Sequence, residues 1–341
     1  MKGAIVGFGF ISAKGHLPAY QKRDDVEIVA FADVCPARLE AARAASPKAR
    51  FYETFEELLA SERELDFVDI ATPPAFHARI ALAALARGVH VLCEKPLTTT
   101  VAEARSLVDA ARAHRRVVFP AHNYKHAPVV KFAQEVIRSG RIGTVRAVTL
   151  NTFRTTHAKG VKEWKTDWRR DKTLAGGGIA MDHGSHSFYL TFAWLGSLPT
   201  HVTAKTLTLD RQWNTEDNLN CVLTFPTGFA HTFLTWTAGV RKVVYTLQGT
   251  EGALVIDDDD WELTAKGEVS RGVIESDWMD ASHTRWFNSL FDQFREAVSK
   301  GDFVNRELRE AVACIQIIET AYRSSAEGCR ELPLQMEVTA P

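Results

Sequence analysis

The first third of the chain alternates short apolar runs with stretches whose apolar positions repeat at helical spacing. Runs of this length are typical of buried strands, and the stretches between them predict amphipathic helices. The predicted strands cover 3–8, 26–32, 67–71, 89–93 and 117–120, and the predicted helices cover 36–45, 54–60, 75–87 and 101–114. Such alternation predicts right-handed βαβ units and a parallel sheet covered on both faces, which is the α/β class.

The remaining two thirds begin with a helical pattern at 128–139 and then change to strands. Strand-like runs follow at 146–153, 201–209, 219–225, 229–237, 243–249 and 253–257, and helical patterns return at 284–300 and 308–327. Pro226-Thr227-Gly228 predicts a hairpin turn, and the four acids at 257–260 predict a solvated turn rather than a cation site. Apolar and polar residues alternate along the strands, which predicts one covered and one partly exposed face.

Length and composition limit the classes of protein that fit. At 341 residues the chain suits two domains, and 45% hydrophobic residues supply substantial cores. The 41 Lys and Arg against 42 Asp and Glu give a net charge of −1, so neither nucleic acid nor a membrane surface is indicated as a partner. Five widely spaced cysteines without Cys-x-x-Cys argue against disulfides and zinc and favour a reducing, cytoplasmic compartment. Neither a signal peptide nor a membrane-spanning run is evident.

Two glycines follow the first predicted strand, in the stretch Gly7-Phe8-Gly9-Phe10-Ile11-Ser12 before a helix-like segment toward Lys22. The first glycine allows a tight turn, and the second lets the backbone approach a pyrophosphate that rests on the helix N-terminus. Ser12 occupies the third position of the motif and is small enough to allow close packing of helix on strand. The turn predicts a dinucleotide site in which residues 7–11 contact the cofactor.

Asp33 ends the second predicted strand, roughly two dozen residues after Gly9. An acidic side chain at this distance accepts hydrogen bonds from the adenosine ribose and repels a 2′-phosphate, which favours NAD over NADP. Arg38 tempers the preference, because a cation nearby can accept a 2′-phosphate. The alternative role for Asp33 is the N-cap of the helix that begins near Pro36.

Thr72 and Pro73 follow the predicted strand at 67–71, and His77 lies one turn into the next helix. In an open α/β sheet, ligands bind beyond the carboxyl ends of the strands, so we expect Thr72 and Pro73 to contact the cofactor. His77 is a further candidate for that contact. The alternative for His77 is an ordinary histidine on a solvated helix face.

Glu94, Lys95 and Pro96 follow the predicted strand at 89–93, at the same edge of the sheet. Lys95 would therefore point into the crevice that holds the ligand. Pro96 restricts the backbone of Lys95, which suits a lysine that must be aimed. The alternative is a surface lysine that ends a strand.

A cationic segment runs from residue 154 to residue 172. Its cations are Arg154, Lys159, Lys162, Lys165, Arg169, Arg170 and Lys172, and Trp164 and Trp168 lie between them. A segment of this kind is usually a solvated loop. Its length and its mixture of tryptophans with cations also fit a lid over a polar or anionic ligand.

Gly176-Gly177-Gly178 leads into a stretch with Asp182 and His186. If that stretch is helical, the two side chains are four residues apart and share one face. A carboxylate beside an imidazole can hold its orientation, as a proton-transferring histidine requires. The alternative is a surface Asp–His pair on an ordinary helix.

These motifs, in this order, resemble the Gfo/Idh/MocA family of NAD(P)-dependent oxidoreductases, the glucose–fructose oxidoreductase and inositol dehydrogenase-like group. The match covers nearly the whole chain, and Glu94-Lys95-Pro96 together with Asp182-x-Gly184-x-His186 is its most specific part. The resemblance implies an N-terminal Rossmann domain with a doubly wound parallel sheet, at residues 1–121. It also implies a C-terminal α/β domain with a large open, mainly antiparallel sheet, at residues 122–341, for substrate binding and oligomerisation.

The resemblance also implies roles for individual residues. Lys95, Asp182 and His186 are expected to form the catalytic set. The expected additional contacts with the cofactor are Glu94, Lys95, Trp168 and Arg169, and those with the substrate are Lys95, Asn123, Lys125, Arg154, Trp164, Asp182, His186 and Tyr189. Three residues depart from the family pattern: Ser12 stands for glycine or alanine, Lys125 for arginine, and Tyr189 for aspartate. The last two leave the identity of the substrate open.

The resemblance also implies that the protein is a homodimer or homotetramer, formed through the second sheet. Phe229, Phe233 and Trp236 are the candidates for its exposed face, and a helix of the same chain is the alternative cover for them.

The predicted function is an NAD-dependent dehydrogenase or reductase for a secondary hydroxyl or ketone of a sugar, sugar derivative or cyclitol. In the oxidative direction His186 removes the hydroxyl proton, Lys95 stabilises the developing charge, and Asp182 orients His186. The cations of the 154–172 segment suit a phosphorylated, acidic or nucleotide-linked sugar, and a neutral polyol stays open. The alternatives are an NAD-assisted glycosidase and a catalytically silent ligand-sensing protein on the same frame.

Overall fold

The first third of the chain forms a six-stranded parallel sheet in the order β3-β2-β1-β4-β5-β6. Its strands are β1 (Lys2–Val6), β2 (Glu27–Ala32), β3 (Arg50–Tyr52), β4 (Phe67–Ile70), β5 (His90–Cys93) and β6 (Val118–Pro120). The computed structural model describes residues 1–276 and 280–336. The order of strands reverses between β1 and β4, so the loops after these two strands diverge and leave a crevice at the carboxyl edge. The predicted doubly wound sheet is confirmed.

Helices cover both faces of this sheet. They are α1 (Leu17–Tyr20), α2 (Pro36–Ala45), α3 (Phe55–Ser61), α4 (His77–Ala86) and α5 (Val101–His114), with a π-helical turn at Ser12–His16 before α1. Thr100 and Glu103 form a capping box at the start of α5, which explains why that helix begins where the sequence predicts. The sequence did not predict β3, because three residues with a charged first position give no usable periodicity.

The remaining two thirds form a nine-stranded sheet in the order β14-β13-β12-β11-β7-β10-β9-β8-β15. Its strands are β7 (Val145–Phe153), β8 (His201–Leu207), β9 (Asn218–Phe225), β10 (Gly228–Thr235), β11 (Lys242–Gly249), β12 (Gly252–Asp257), β13 (Asp260–Ala265), β14 (Glu268–Val273) and β15 (Leu332–Pro333). Among the strand pairs that the described residues form in this sheet, only β7–β10 is parallel. The predicted mainly antiparallel sheet is confirmed.

The helices of the remaining two thirds are α6 (Pro128–Arg138), α7 (Lys172–Ala175), α8 (Ile179–Leu195), α9 (Thr284–Lys300) and α10 (Arg306–Ala326). The strongly apolar α8 packs with α10 on one face of the second sheet, where Leu190, Leu223 and Ile318 belong to one continuous core. The opposite face carries exposed apolar side chains, including Val222 and Phe229. None of the helices within the described ranges is both long and apolar enough to cross a bilayer.

Two details of the remaining two thirds of the chain differ from the sequence predictions. Trp236 does not lie on the open face: it is buried, and its ring contacts His157 and the guanidinium of Arg170. The acids at 257–260 do form a turn, but strands β13 and β14 extend beyond it and were not predicted. All six residues of β14 are exposed or half-buried, so its sequence lacks the apolar run that marks a strand.

Helix α9 packs on the first sheet, although the sequence pattern assigned it to the second domain. Phe287, Phe291 and Phe294 from α9 are buried in the same cluster as Phe67 and Phe119 from the first sheet. The rings of Phe67 and Phe294 lie 5.5 Å apart in an edge-to-face arrangement. The C-terminal part of the chain therefore returns to complete the core of the N-terminal sheet.

Candidate active site

A cavity of about 1080 Å³ lies along the carboxyl edge of the first sheet and extends to α8. One end is lined by Gly7, Gly9 and Asp33, from the loops that follow β1 and β2. The other end is lined by Lys95, from the loop after β5, and by His186, from α8. The cavity thus connects the predicted dinucleotide turn with the predicted catalytic residues.

The glycine turn is built for close backbone approach. Gly7 has φ +91°, and a Cβ added there would lie 2.8 Å from the carbonyl carbon of Ala71. A Cβ added at Gly9 would meet nothing within 4 Å, so this glycine leaves open space toward the cavity. The hydroxyl of Ser12 donates to the carbonyl of Gly7 at 2.8 Å, which stabilises the turn. The serine that departs from the family pattern is therefore compatible with the turn.

The side chain of Phe8 points away from the cavity. Its ring is buried against Phe31, with the centroids 5.4 Å apart, and its N–H donates to Asp33. The Phe8 side chain is therefore part of the core and does not line the cavity, whereas Phe10 and Ile11 do. The alternation of apolar residues in this turn did not show which of them faced inward.

Asp33 is fixed by two backbone donors. Its Oδ2 accepts from Phe8 N at 2.6 Å, and its Oδ1 accepts from Cys35 N at 2.8 Å. Burial raises the pKa of Asp33, and these two hydrogen bonds oppose the rise. Cys35, not Asp33, is the N-cap residue of α2, so the alternative role predicted for Asp33 is wrong. The carboxylate is part of the cavity wall.

Arg38 lies beside Asp33 and joins the cavity wall to the cationic segment. Its Nε donates to the carbonyl of Phe8 at 2.7 Å, and its guanidinium lies 3.7 Å from Glu163. Cys35 Sγ also donates to the carbonyl of Glu163, at 3.4 Å. The segment at 154–172 therefore reaches across to the helix after β2, as a lid over the cavity would.

Thr72 and Pro73 line the cavity, but His77 does not. The imidazole of His77 is fully buried, with Nδ1 3.0 Å from the carbonyl oxygen of Pro96 and Nε2 2.8 Å from that of Thr72. His77 is therefore not a solvated surface histidine, and its side chain is not part of the cavity wall. His77 instead links the loops that follow β4 and β5.

Lys95 reaches from the first sheet to α8. Its Nζ donates to the main-chain carbonyl of Asp182 at 2.8 Å and to Asp182 Oδ1 at 3.3 Å. Its neighbour Glu94 turns inward and accepts from Nε2 of His16 at 3.1 Å, while His16 Nδ1 contacts Asp69 at 2.9 Å. The two carboxylates raise the pKa of His16 to about 10 even though burial opposes the charge. Glu94 lines the cavity at the same time.

The N-terminus of α8 is held by a carboxylate that the sequence analysis missed. Glu216 accepts hydrogen bonds from Gly178 N and Ala180 N and from the Tyr322 hydroxyl. A Cβ added at Gly178 would lie 1.8 Å from the carbonyl oxygen of Glu216, which explains the glycine at this position. The carboxylate fixes the first turn of the helix that carries Asp182 and His186.

Asp182 does not contact His186, so the orienting role predicted for it is wrong. Its Oδ1 lies 3.3 Å from both Lys95 Nζ and Arg169 Nε, and its Oδ2 lies 3.1 Å from His183 Nδ1. Burial would raise the pKa of Asp182, but the charges of Lys95 and Arg169 hold it well below the usual range. Asp182 is therefore an anion that pairs with the cations Lys95 and Arg169 on the cavity wall.

His186 is held by aromatic neighbours. Its Nδ1 lies 2.6 Å from the hydroxyl of Tyr189, and its ring stacks on Tyr124 with the centroids 3.8 Å apart. Burial, and then the charge of Lys95, lower its pKa well below the ordinary value. The imidazole is therefore neutral near pH 7, and a neutral imidazole can accept a proton.

Two residues predicted to contact the substrate lie behind the cavity wall. Tyr189 is fully buried and does not line the cavity. The ammonium of Lys125 pairs with Glu307 at 2.7 Å and with Glu310. Glu307 and Glu310 could also join His122 as metal ligands, but the Lys125 ammonium already lies against both carboxylates. Neither Tyr189 nor Lys125 therefore presents its side chain to the cavity, where the substrate-binding predictions placed them.

Several of the other predicted substrate and lid residues line the cavity. These are Asn123, Arg154, Lys159, Trp164, Trp168 and Arg169, whereas Lys162, Lys165, Arg170 and Lys172 are not part of its wall. The sequence analysis missed Tyr124, His183 and Arg241, which line the same end. His183 is adjacent to Asp182, so its position in the motif was a usable signal, whereas nothing local marks Arg241.

Comparisons with known proteins agree with this geometry. Residues 1–122 match the family model described as "Oxidoreductase family, NAD-binding Rossmann fold", and residues 130–255 match the model of the GFO/IDH/MocA C-terminal domain. The chain belongs to the GFO/IDH/MocA family. Membership of this family makes the protein an oxidoreductase with an NAD(P)-binding Rossmann fold.

Two relatives of this chain are sugar dehydrogenases. A D-xylose 1-dehydrogenase (NADP(+)) of Haloferax volcanii is 28% identical over 96% of this chain and 98% of its own length. A D-apiose dehydrogenase of Paraburkholderia graminis is 37% identical over 42% of this chain, a match that spans 38% of the relative. Among solved structures, GenD2 from gentamicin A biosynthesis, in complex with NAD, is 27% identical with a TM-score of 0.83, over 98% of this chain and 96% of GenD2.

A levoglucosan dehydrogenase solved with NADH and levoglucosan shares the fold of this chain. Its TM-score is 0.86 over 98% of this chain and 99% of the other, at 22% identity.

Proposed function

We propose that this protein is an NAD-dependent dehydrogenase or reductase that acts on a secondary hydroxyl or ketone of a sugar, sugar derivative or cyclitol. The observation that carries the proposal is that Lys95 from the first sheet and His186 from α8 line one cavity, and that this cavity continues to the glycine turn. The D-xylose and D-apiose dehydrogenases among the relatives support the substrate class.

The residues present fit a nicotinamide dinucleotide. Gly9 leaves space beside the backbone for a pyrophosphate, and the fixed carboxylate of Asp33 is placed at the end of β2 for ribose hydroxyls. When bound, the dinucleotide supplies the group that accepts or donates hydride. Thr72, Pro73 and Trp168 complete the proposed walls of this site.

His186 is the proposed general base. If its Nδ1–H donates to the Tyr189 hydroxyl oxygen, Nε2 carries the lone pair that accepts the proton of the substrate hydroxyl. Lys95 donates a hydrogen bond to the same substrate oxygen and stabilises the charge that develops there. Asp182 holds the Lys95 ammonium in place, so we assign it to positioning Lys95 rather than His186.

NAD is the proposed cofactor in preference to NADP. The Asp33 carboxylate repels a 2′-phosphate, and Arg38 is engaged by the carbonyl of Phe8 and by Glu163. Dissociation constants for NADH and NADPH, measured by fluorescence titration of the wild type, test this choice. Tighter binding of NADPH would contradict it.

The activity is tested by following NADH absorbance with NAD and a panel of polyols, aldoses, uronates, sugar phosphates and nucleotide sugars. Lys95→Ala and His186→Ala should each lower turnover by orders of magnitude while the dissociation constant of NADH stays close to that of the wild type. Near-wild-type turnover of either variant would refute the catalytic role of the substituted residue. Release of free sugar from a glycoside without accumulation of NADH would indicate a glycosidase instead.

A homodimer or homotetramer through the open face of the second sheet is part of the proposal. Phe229 is 57% exposed and Val222 is 37% exposed, on neighbouring strands β10 and β9. Phe233 lies on the same face and is half-buried. Light scattering after size-exclusion chromatography should give a mass of two or four chains, and Phe229→Glu should reduce it. A monomeric wild type would exclude this assembly.

We also propose a cytoplasmic location, which the five free cysteines favour.

A further inference from the structure

Arg154 differs from the other cations of the cavity in its surroundings. It directly follows β7, lines the cavity and is 9% exposed. Its Nη1 donates to the main-chain carbonyls of Phe153 at 2.8 Å and Lys242 at 3.3 Å, which fixes the plane of the guanidinium. Within residues 1–276 and 280–336, no carboxylate oxygen lies within 4.0 Å of this guanidinium, and its Nε and Nη2 have no protein acceptor. These donors are available to a molecule in the cavity.

Three other cations at this end of the cavity, Lys95, Arg169 and Lys159, are paired with carboxylates of the protein. Lys95 and Arg169 share the carboxylate of Asp182, with both contacts at 3.3 Å. Lys159 pairs with Asp167 at 2.5 Å. Arg154 is more deeply buried than Lys159, yet it has only neutral carbonyl partners. A buried cation without an anion is costly, and a bound anion would remove that cost.

Two more groups add positive or proton-binding character beside Arg154. Arg241 is half-buried and lines the same end of the cavity. Burial lowers the pKa of Arg241, and the charge of Arg154 lowers it further. Burial is also the main cause of the lowered pKa of His183, to which Arg154 again contributes. Asp258 offsets part of the charge near Arg241, but it is not part of the cavity wall.

We propose that the substrate carries an anionic group, a carboxylate or a phosphate, and that Arg154 binds it while the reacting carbon faces His186 and Lys95. Arg241 and His183 flank this anion site. The inference rests on the dehydrogenase function proposed above and specifies its substrate class as an acidic or phosphorylated sugar. A guanidinium presents two N–H groups in the geometry of a carboxylate or phosphate, so it binds these groups in a fixed orientation.

The test uses matched substrates, for example glucose, glucuronate and glucose 6-phosphate, with corresponding sets built on other sugars. The wild type should have a higher kcat/KM for an anionic member than for its neutral partner. Arg154→Gln should lower kcat/KM for the anionic member by about 10- to 100-fold, the range expected for a lost charge-assisted hydrogen bond. The same variant should leave the neutral member and NADH binding much less affected, and Arg154→Lys should be intermediate.

Lys165→Gln is the matched control. Lys165 lies in the same segment, is exposed and pairs with Asp171 at 3.9 Å, and it does not line the cavity. Its substitution removes one positive charge from the surface of the segment, so it should leave the ratio between anionic and neutral substrates unchanged. An equal change in that ratio in Lys165→Gln would assign the preference to general electrostatics and overturn the site.

The outcomes separate this inference from the proposed function. Preference for carboxylate or for phosphate in the wild type identifies the anion. Equal or better turnover of the neutral members overturns the anion site and leaves the dehydrogenase in place. A protein that binds NADH but oxidises no member of any set refutes both. If Arg154→Gln does not fold, competitive inhibition of the wild type by inorganic phosphate or tartrate supports the site, and absence of inhibition at high millimolar concentration contradicts it.

Discussion

The hydroxyl of Tyr189 lies 2.6 Å from Nδ1 of His186, and both side chains are buried. The same hydroxyl oxygen accepts the N–H of Tyr124 at 3.2 Å, and the ring of Tyr124 stacks on His186. The imidazole is thus held on one edge and on one face by tyrosines. At position 189, where the family pattern has aspartate, this chain therefore has a tyrosine that serves as a neutral partner for His186.

Tyr189→Phe should reduce kcat by about tenfold, the effect expected when one hydrogen bond to a reacting group is lost. KM should change less, because Tyr189 does not line the cavity. Steady-state kinetics with the best substrate of the panel measure both constants. Tyr52→Phe, which removes a hydroxyl bonded to Glu62 far from α8, is the control. Unchanged kcat in Tyr189→Phe would show that the packing of His186 is sufficient.

The pH dependence of oxidation should reflect the lowered pKa of His186. Because burial and the charge of Lys95 favour the neutral imidazole, the base stays active as the pH falls below the ordinary histidine value of about 6.5. We therefore expect the acidic limb of the kcat/KM profile to have its midpoint below that value. A midpoint above about 7 would mean that a different group, or a protonated His186, limits the reaction.

The glycine turn provides a matched pair of substitutions. Gly7→Ala should destabilise the protein by at least about 1–2 kcal/mol, because a side chain is strained at positive φ and the added Cβ meets the Ala71 backbone. Gly9→Val should leave the melting temperature nearly unchanged, since its Cβ has open space, but it should weaken NADH binding by about tenfold or more. Thermal melts and fluorescence titration distinguish the two effects. Unchanged NADH affinity in Gly9→Val would place the pyrophosphate elsewhere.

His16 should make stability depend on pH above neutrality. Its folded-state pKa of about 10 lies above the unfolded value of about 6.5, so its contribution is fully present below pH 6.5 and is lost as the pH rises through 10. The free energy of unfolding of the wild type, from urea titrations, should therefore fall between pH 6.5 and 10 more steeply than that of His16→Gln. Parallel pH profiles of the two proteins would show that His16 is neutral between Asp69 and Glu94.

The sequence identified the residues at the carboxyl edge of the first sheet well, because each follows a short apolar strand. Gly9, Asp33, Thr72 and Lys95 all line the cavity as expected. These residues come together because each follows the carboxyl end of a strand. The apolar runs of the sequence show directly where each strand ends. The bounds of α2 and α5 also agree, since proline and a capping box define where those helices begin.

Two of the predicted contacts failed because of partners distant in the chain. Asp182 and His186 share a helix, but Lys95 and Arg169 from other elements attract the carboxylate. Lys125 looked like a substrate ligand because nothing near it in sequence shows that Glu307 lies 2.7 Å from its ammonium. Helical spacing predicts which side chains share a face, and it does not predict what that face will meet.

The return of α9 to the first sheet has a consequence for engineering. A fragment truncated after residue 121 would lack the phenylalanines that cover Phe67 and Phe119, and would present that aromatic surface to water. Residues 1–121 are therefore not an independent folding unit that can be fused to another catalytic domain. A chimaera would have to include α9 together with residues 1–121, although some 160 residues of the chain separate the two.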